Sequence, residues 1–165
     1  MSDNFSGMAV KIDKHSFILI NSNHSIGRQN FTIGHELYHL FIQEDFETHF
    51  CKAGNFNKSD IQEYYADLFS SALLMPDDGI LEKIPTAEQN KNKISLATVL
   101  ELENYFGCSR TALLYKLKMM KKIDADKYDE FRKDIKSTAR LNGYDIALYS
   151  KGREGIIISD YGTKA

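Results

Sequence analysis

The chain is organised around one run, Asn30-Phe31-Thr32-Ile33-Gly34-His35-Glu36-Leu37-Tyr38-His39-Leu40-Phe41. Ile33, Leu37, Leu40 and Phe41 recur at helical spacing, which predicts a half-buried helix with Asn30 as its N-cap. With His35 set to zero and a step of ~100° per residue, His39 falls near ~40° and Glu36 near ~100°, while the four apolar residues fall between about 140° and 240°. The polar and apolar residues therefore take different sides. His35-Glu36-Leu37-Tyr38-His39 is an H-E-x-x-H string, and two histidines one turn apart can both reach a single Zn²⁺ at ~2.0–2.1 Å per bond. Glu36 points beside such a metal, where a carboxylate can take a proton from the water that zinc activates.

A third ligand is needed. Asp45, six residues beyond His39, would fit an extended H-E-x-x-H-x-x-G-x-x-H/D pattern, but that pattern requires a glycine where this chain has Ile42, so Asp45 is rejected. Glu63 lies 24 residues past His39, and Asp67 follows it at i+4 on the same helical face. Glu63 can complete a His₂Glu set with water in the fourth position, and Asp67 can accept the free ring N–H of His35 and fix its tautomer. Ala66 and Ser70 on the same side are small, as two closely approaching helices need.

Outward from these two helices, the apolar clusters Met8-Ala9-Val10 and Phe17 to Ile20 read as a small β-hairpin closed by Asn21-Ser22-Asn23. Ser59 to Gln62 reads as a capping box opening the second helix, which ends near Leu74 ahead of Pro76, with Asp77-Asp78-Gly79 as a turn. Ile94 to Tyr105 and Thr111 to Leu117 are helical around a Gly107 C-cap and a Ser109 N-cap, a helix-turn-helix outline. Asp126 to Arg140 reads as one amphipathic helix ended by Asn142-Gly143, and Gly155 to Ile158 as a terminal strand. The expected division is a core over 1–85, a helical subdomain over 86–123, and a C-terminal helix and strand over 124–165 with no closing element, as in a truncated end.

The chain has 165 residues, 42% hydrophobic and 27% charged, the balance of a folded domain rather than a disordered tail. A net charge of −2 excludes a global field toward nucleic acid or anionic membrane. Cys51 and Cys108 are far apart and form neither a disulfide framework nor a cysteine-rich metal site. The longest early apolar run, Phe17 to Ile20, is too short to span a bilayer, and Asp3 and Asn4 stand where a signal peptide is basic. The expectation is a cytoplasmic protein without membrane association.

Three blocks, Phe31 to Leu40, Glu63-Tyr64-Tyr65-Ala66-Asp67-Leu68-Phe69 and Leu73-Leu74-Met75-Pro76, occur in order, and with them the chain resembles the ImmA/IrrE family of zincin-like metallopeptidases. The resemblance implies an α+β zincin-like core with a helical C-terminal extension, one Zn²⁺ per chain, and a gluzincin-like zinc metalloendopeptidase acting on a helix-turn-helix transcriptional repressor. It matches His35, His39 and Glu63 to the metal ligands and Glu36 to the catalytic glutamate. Family members usually have glycine where this chain has Tyr38, near ~300° on the wheel. Tyr38, Tyr64 and Tyr65 are candidate cleft or oxyanion residues, with packing as the alternative. The chain also starts almost at its first strand, where the family commonly has a preceding helix.

A second function competes. Arg110, Lys116, Lys118, Lys121 and Lys122 cluster in and after the second helix of the helix-turn-helix outline. The alternative is thus a transcription regulator or protein-binding module, with a metal site but no turnover, that binds DNA or a partner through residues 94–122. Charge runs of this kind usually form a solvated face, and Leu96, Val99, Leu100, Leu113, Leu114 and Leu117 are expected to pack this segment onto the core.

Overall fold

The computed structural model describes residues 5–12, 14–44, 46, 51 and 53–151. The fold is α+β: among the described residues, a two-stranded antiparallel sheet is followed by seven α-helices. Strands β1 (Gly7–Ile12) and β2 (His15–Ile20) pair from Gly7↔Ile20 to Ile12↔His15. The side of the hairpin that carries Gly7, Ala9, Ile18 and Ile20 is the more buried, and Phe17 and Leu19 stand on the open side. The terminal strand expected at Gly155 to Ile158 lies outside the described residues.

Helix α1 spans Ile26–Phe41 with Ser25 as its N-cap, five residues earlier than the expected start. Asn30 is no cap; its side-chain amide donates to the Gly107 carbonyl at 2.8 Å, where a helix-interior residue reaches across to a later turn. The buried face of α1 also differs from expectation. His35, Glu36 and His39 are wholly buried, whereas Ile33 and Phe41 are 42% and 70% exposed. The reason is α2 (Ile61–Leu74), which packs along the polar side of α1 rather than the apolar one. Ser70 donates to the Phe31 carbonyl at 2.6 Å, and a Cβ on Gly34 would lie 2.6 Å from Ser70 Oγ. Glycine at position 34 and the small Ala66 and Ser70 therefore set the closeness of the two helices.

The cap of α2 is Asp60, which accepts from the Glu63 N–H at 3.3 Å, while the Ser59 hydroxyl turns to Asn57 Oδ1 at 2.8 Å instead of forming the expected capping box. Asp77-Asp78-Gly79 opens a short helix, α3 (Asp77–Lys83), rather than a turn: two carboxylates after a proline suit the positive end of a helix. Helices α4 (Leu96–Phe106) and α5 (Arg110–Met119) follow the expected capping, with Gly107 left-handed at φ 60° and Ser109 accepting from the Ala112 N–H. The helix expected over Asp126 to Arg140 is two, α6 (Ala125–Phe131) and α7 (Ile135–Leu141), because Asp134 takes a left-handed conformation at φ 47°.

One apolar core gathers Phe31 of α1, Met75, Ile80 of α3, Val99 and Leu102 of α4, Leu113, Leu114 and Leu117 of α5, and Phe131 of α6. Leu100 belongs to a second cluster with Ala139 and Tyr149. Between the clusters lies a buried ion pair. Arg110 donates to both Glu103 oxygens at 2.6 and 2.8 Å and to Thr138 Oγ1 at 3.0 Å, and Tyr149 OH donates to Glu103 Oε1 at 2.5 Å. Arg110 thus presents no charge to solvent. Of the remaining basic residues, Lys116 pairs with Asp77, Lys122 donates to the Gln89 carbonyl at 2.8 Å, and the Lys118 ammonium lies 5.4 Å from the Tyr128 ring centroid.

Candidate metal centre

The third and fourth turns of α1 and the first turn of α2 bring His35, His39 and Glu63 to one point. The two Nε2 atoms are 3.1 Å apart, and Glu63 oxygens lie 3.4 Å from His35 Nε2 and 3.3 Å from His39 Nε2. Four ligands at ~2.05 Å around a tetrahedral ion are separated by about 3.3 Å, close to the Nε2–Nε2 separation and to the distance from each Nε2 to its own Glu63 oxygen.

The rest of each ring explains why Nε2 faces inward. His35 Nδ1 lies 2.8 Å from Asp67 Oδ1, and a carboxylate there holds the proton on Nδ1. His39 Nδ1 lies 2.5 Å from the side-chain oxygen of Gln43, which does the same. Both Nε2 atoms then face each other and the Glu63 carboxylate, an arrangement of imidazole and carboxylate donors that suits a cation. His35 reports the same demand: burial works against a charge on its ring, but Asp67 and Glu63 outweigh it and raise its pKa to about 9.

Asp67 is itself held at both oxygens, by the N–H groups of Gly54 and Phe56 at 2.6 Å each. The loop before α2 therefore fixes Asp67, and Asp67 fixes His35. Glu36 is fully buried, and among the described residues its two oxygens accept no well-formed hydrogen bond; the Cys51 thiol is the weak donor nearest in kind. Burial raises its pKa, and His35 and His39 only partly offset that. A side chain on Gly7 of β1 would place a Cβ 2.8 Å from Glu36 Oε1, so the bare backbone of the strand makes room for this carboxylate.

The structure brings His35, Glu36, His39, Glu63 and Asp67 together as expected, and adds two residues that the sequence reading missed. Gln43 is four residues beyond His39, a spacing that could have revealed it. Cys51 joins His35, His39 and Glu63 in a group whose ligand atoms all lie within 4.8 Å of one another and could hold a metal ion. Its lone position in a loop carries no spacing signal. Asp45 lies outside the described residues. Tyr38 donates its hydroxyl to Gln62 Oε1 at 2.9 Å and sets its ring edge-on to His39 at 5.6 Å. Tyr64 has the Lys58 ammonium 5.7 Å from its ring centroid, and Tyr65 is exposed beside it.

No helix among the described residues is long and apolar enough to cross a membrane. A comparison with curated proteins finds no match. The family model of the IrrE N-terminal-like domain of M78 peptidases matches residues 2–118, from ahead of the hairpin, through both helices that bear the clustered ligands, and into α5. That is well over half of the chain, and it carries the whole described His/His/Glu cluster; the chain belongs to this family of metal-dependent peptidases.

Proposed function

We propose that the chain is a zinc-dependent, gluzincin-like endopeptidase of the cytoplasm that cleaves a helix-turn-helix transcriptional repressor. The observation that carries the hydrolytic reading is Glu36: a buried carboxylate without a well-formed hydrogen bond, beside three convergent ligand atoms. His35, His39 and Glu63 would hold the ion, and imidazole and carboxylate donors in a His₂Glu set suit zinc. Bound zinc supplies Lewis-acid polarisation of a scissile carbonyl and of the attacking water. Glu36 takes that water's proton and later passes it to the leaving amine. Asp67 and Gln43 keep both imidazoles in the tautomer that offers Nε2.

An extended substrate would add as a strand to the hairpin. Among the described residues β2 pairs only with β1, and its Phe17 and Leu19 are 51% and 48% exposed. Selectivity would come from remote contacts in the helical region from Ile94 to Ile123, which fix one bond in near-attack geometry.

The test is Glu36→Gln. This variant is expected to keep metal and fold and to lose at least ~10²-fold in cleavage rate. Equal cleavage by variant and parent would overturn the mechanism. For the substrate, a repressor encoded beside this chain and casein are digested side by side with intact-mass readout. A single cut in the repressor with little casein cleavage is expected, and rapid multi-site casein cleavage would refute the selectivity.

A further inference from the structure

Cys51 has no role in the mechanism above, yet its surroundings are those of a ligand. Its backbone is pinned at both its N–H and its carbonyl to the start of β1 and the residue before it: the Cys51 N–H donates to the Gly7 carbonyl at 3.0 Å, and its carbonyl accepts from the Ser6 N–H at 3.1 Å. The side chain is therefore aimed by the sheet rather than by a free loop. It is 1% exposed, and its sulfur lies within 4.8 Å of the ligand atoms of His35, His39 and Glu63. A thiol kept only for its bulk belongs among apolar groups, whereas this one faces two imidazoles and the carboxylates of Glu36 and Glu63.

Resting on the reading that His35, His39 and Glu63 hold zinc, we propose that Cys51 is a fourth protein ligand that closes the site in a resting form. With bonds of ~2.3 Å to sulfur and ~2.05 Å to nitrogen, tetrahedral ligation separates sulfur and nitrogen by about 3.6 Å, so the thiol has at most about 1 Å to move, within the reach of a side-chain rotation. In that step the S–H bond breaks, a sulfur–metal bond forms, and the proton is released to solvent. The closed form thus fills the position that water needs. Uptake of a proton by sulfur as the sulfur–metal bond breaks reopens it. Four protein ligands are the mark of a structural zinc site and three with water of a catalytic one; this chain holds the side chains for either.

The test loads one equivalent of Co²⁺ into the full-length chain after metal is stripped by chelator. The expected result is visible ligand-field absorption together with a near-ultraviolet thiolate-to-cobalt charge-transfer band. The band should vanish in Cys51→Ser, persist in Cys108→Ser, and Cys51→Ser should bind Co²⁺ at least ~10-fold more weakly by chelator competition. These are the only two cysteines, so the wild-type band and its survival in Cys108→Ser assign the sulfur even if Cys51→Ser fails to fold. Ligand-field absorption without the charge-transfer band in the wild type, or loss of the band in Cys108→Ser, would overturn Cys51 as ligand while leaving the metal site intact. Absence of any ligand-field absorption in the wild type would overturn the metal site and the proposal together.

Discussion

Asp67 shows how much a residue outside the ligand set can control. It receives two backbone N–H groups and faces His35 Nδ1, so it couples loop 53–56 to the first imidazole. Asp67→Asn is expected to lower metal affinity about 10- to 100-fold with the helical circular dichroism unchanged. Chelator competition checks this, and unchanged affinity would reduce Asp67 to a loop anchor. His35, Glu36, His39, Glu63 and Asp67 were legible in the sequence because each lies on a helix, where spacing dictates the shared face. Cys51 was not, since a loop has no period from which to infer where a side chain points. Asn30 was misread for a related reason: its partner, the Gly107 carbonyl, is 77 residues away, and local pattern favours a local explanation.

Among the helices, capping chemistry was a sound guide at Gly107 and Ser109, where sequence and structure agree, and periodicity was a poor one across Asp134. An apolar stripe records which faces can be buried and is blind to a single left-handed residue. It also failed on part of α1, where Ile33 and Phe41 are exposed while His35, Glu36 and His39 are buried, because α2 packs along the polar side. The tie between α4 and α5 was likewise hidden, since Arg110 reads as one more basic residue in a cationic helix. Glu103→Ala is expected to destabilise the metal-loaded protein by about 3–5 kcal/mol, because it leaves the Arg110 charge buried without its partner. Glu130→Ala, which removes the surface pair with Lys127, is expected to cost no more than about 1 kcal/mol. Urea unfolding of both variants is the measurement, and equal losses would contradict this ranking.

For the whole molecule, the α+β class and the order of the motif blocks followed from sequence, whereas the larger core cluster running from Phe31 to Phe131 needed coordinates. His35, His39 and Glu63 are outside that core, so stripping the metal should leave the fold standing and only remove binding energy. At metal about 1,000-fold above its Kd that energy is about 4 kcal/mol, or roughly 8 to 16 °C in Tm for a chain of this size. Thermal melts with and without chelator check it, and coincident melts would deny that metal bridges α1 and α2. The bond from Asn30 to Gly107, and that from the Ile26 N–H to the Ser150 carbonyl at 3.0 Å, also set a timetable for synthesis. A ribosome adding about 5–20 residues per second delivers Gly107 roughly 4 to 15 s after Asn30. Through that interval α2 can already be docked on α1 while the N-terminal half of α1 has no late-chain partner. The nascent chain can thus hold His35, His39 and Glu63 together on a helix whose Phe31 still lacks the α5 and α6 part of its core.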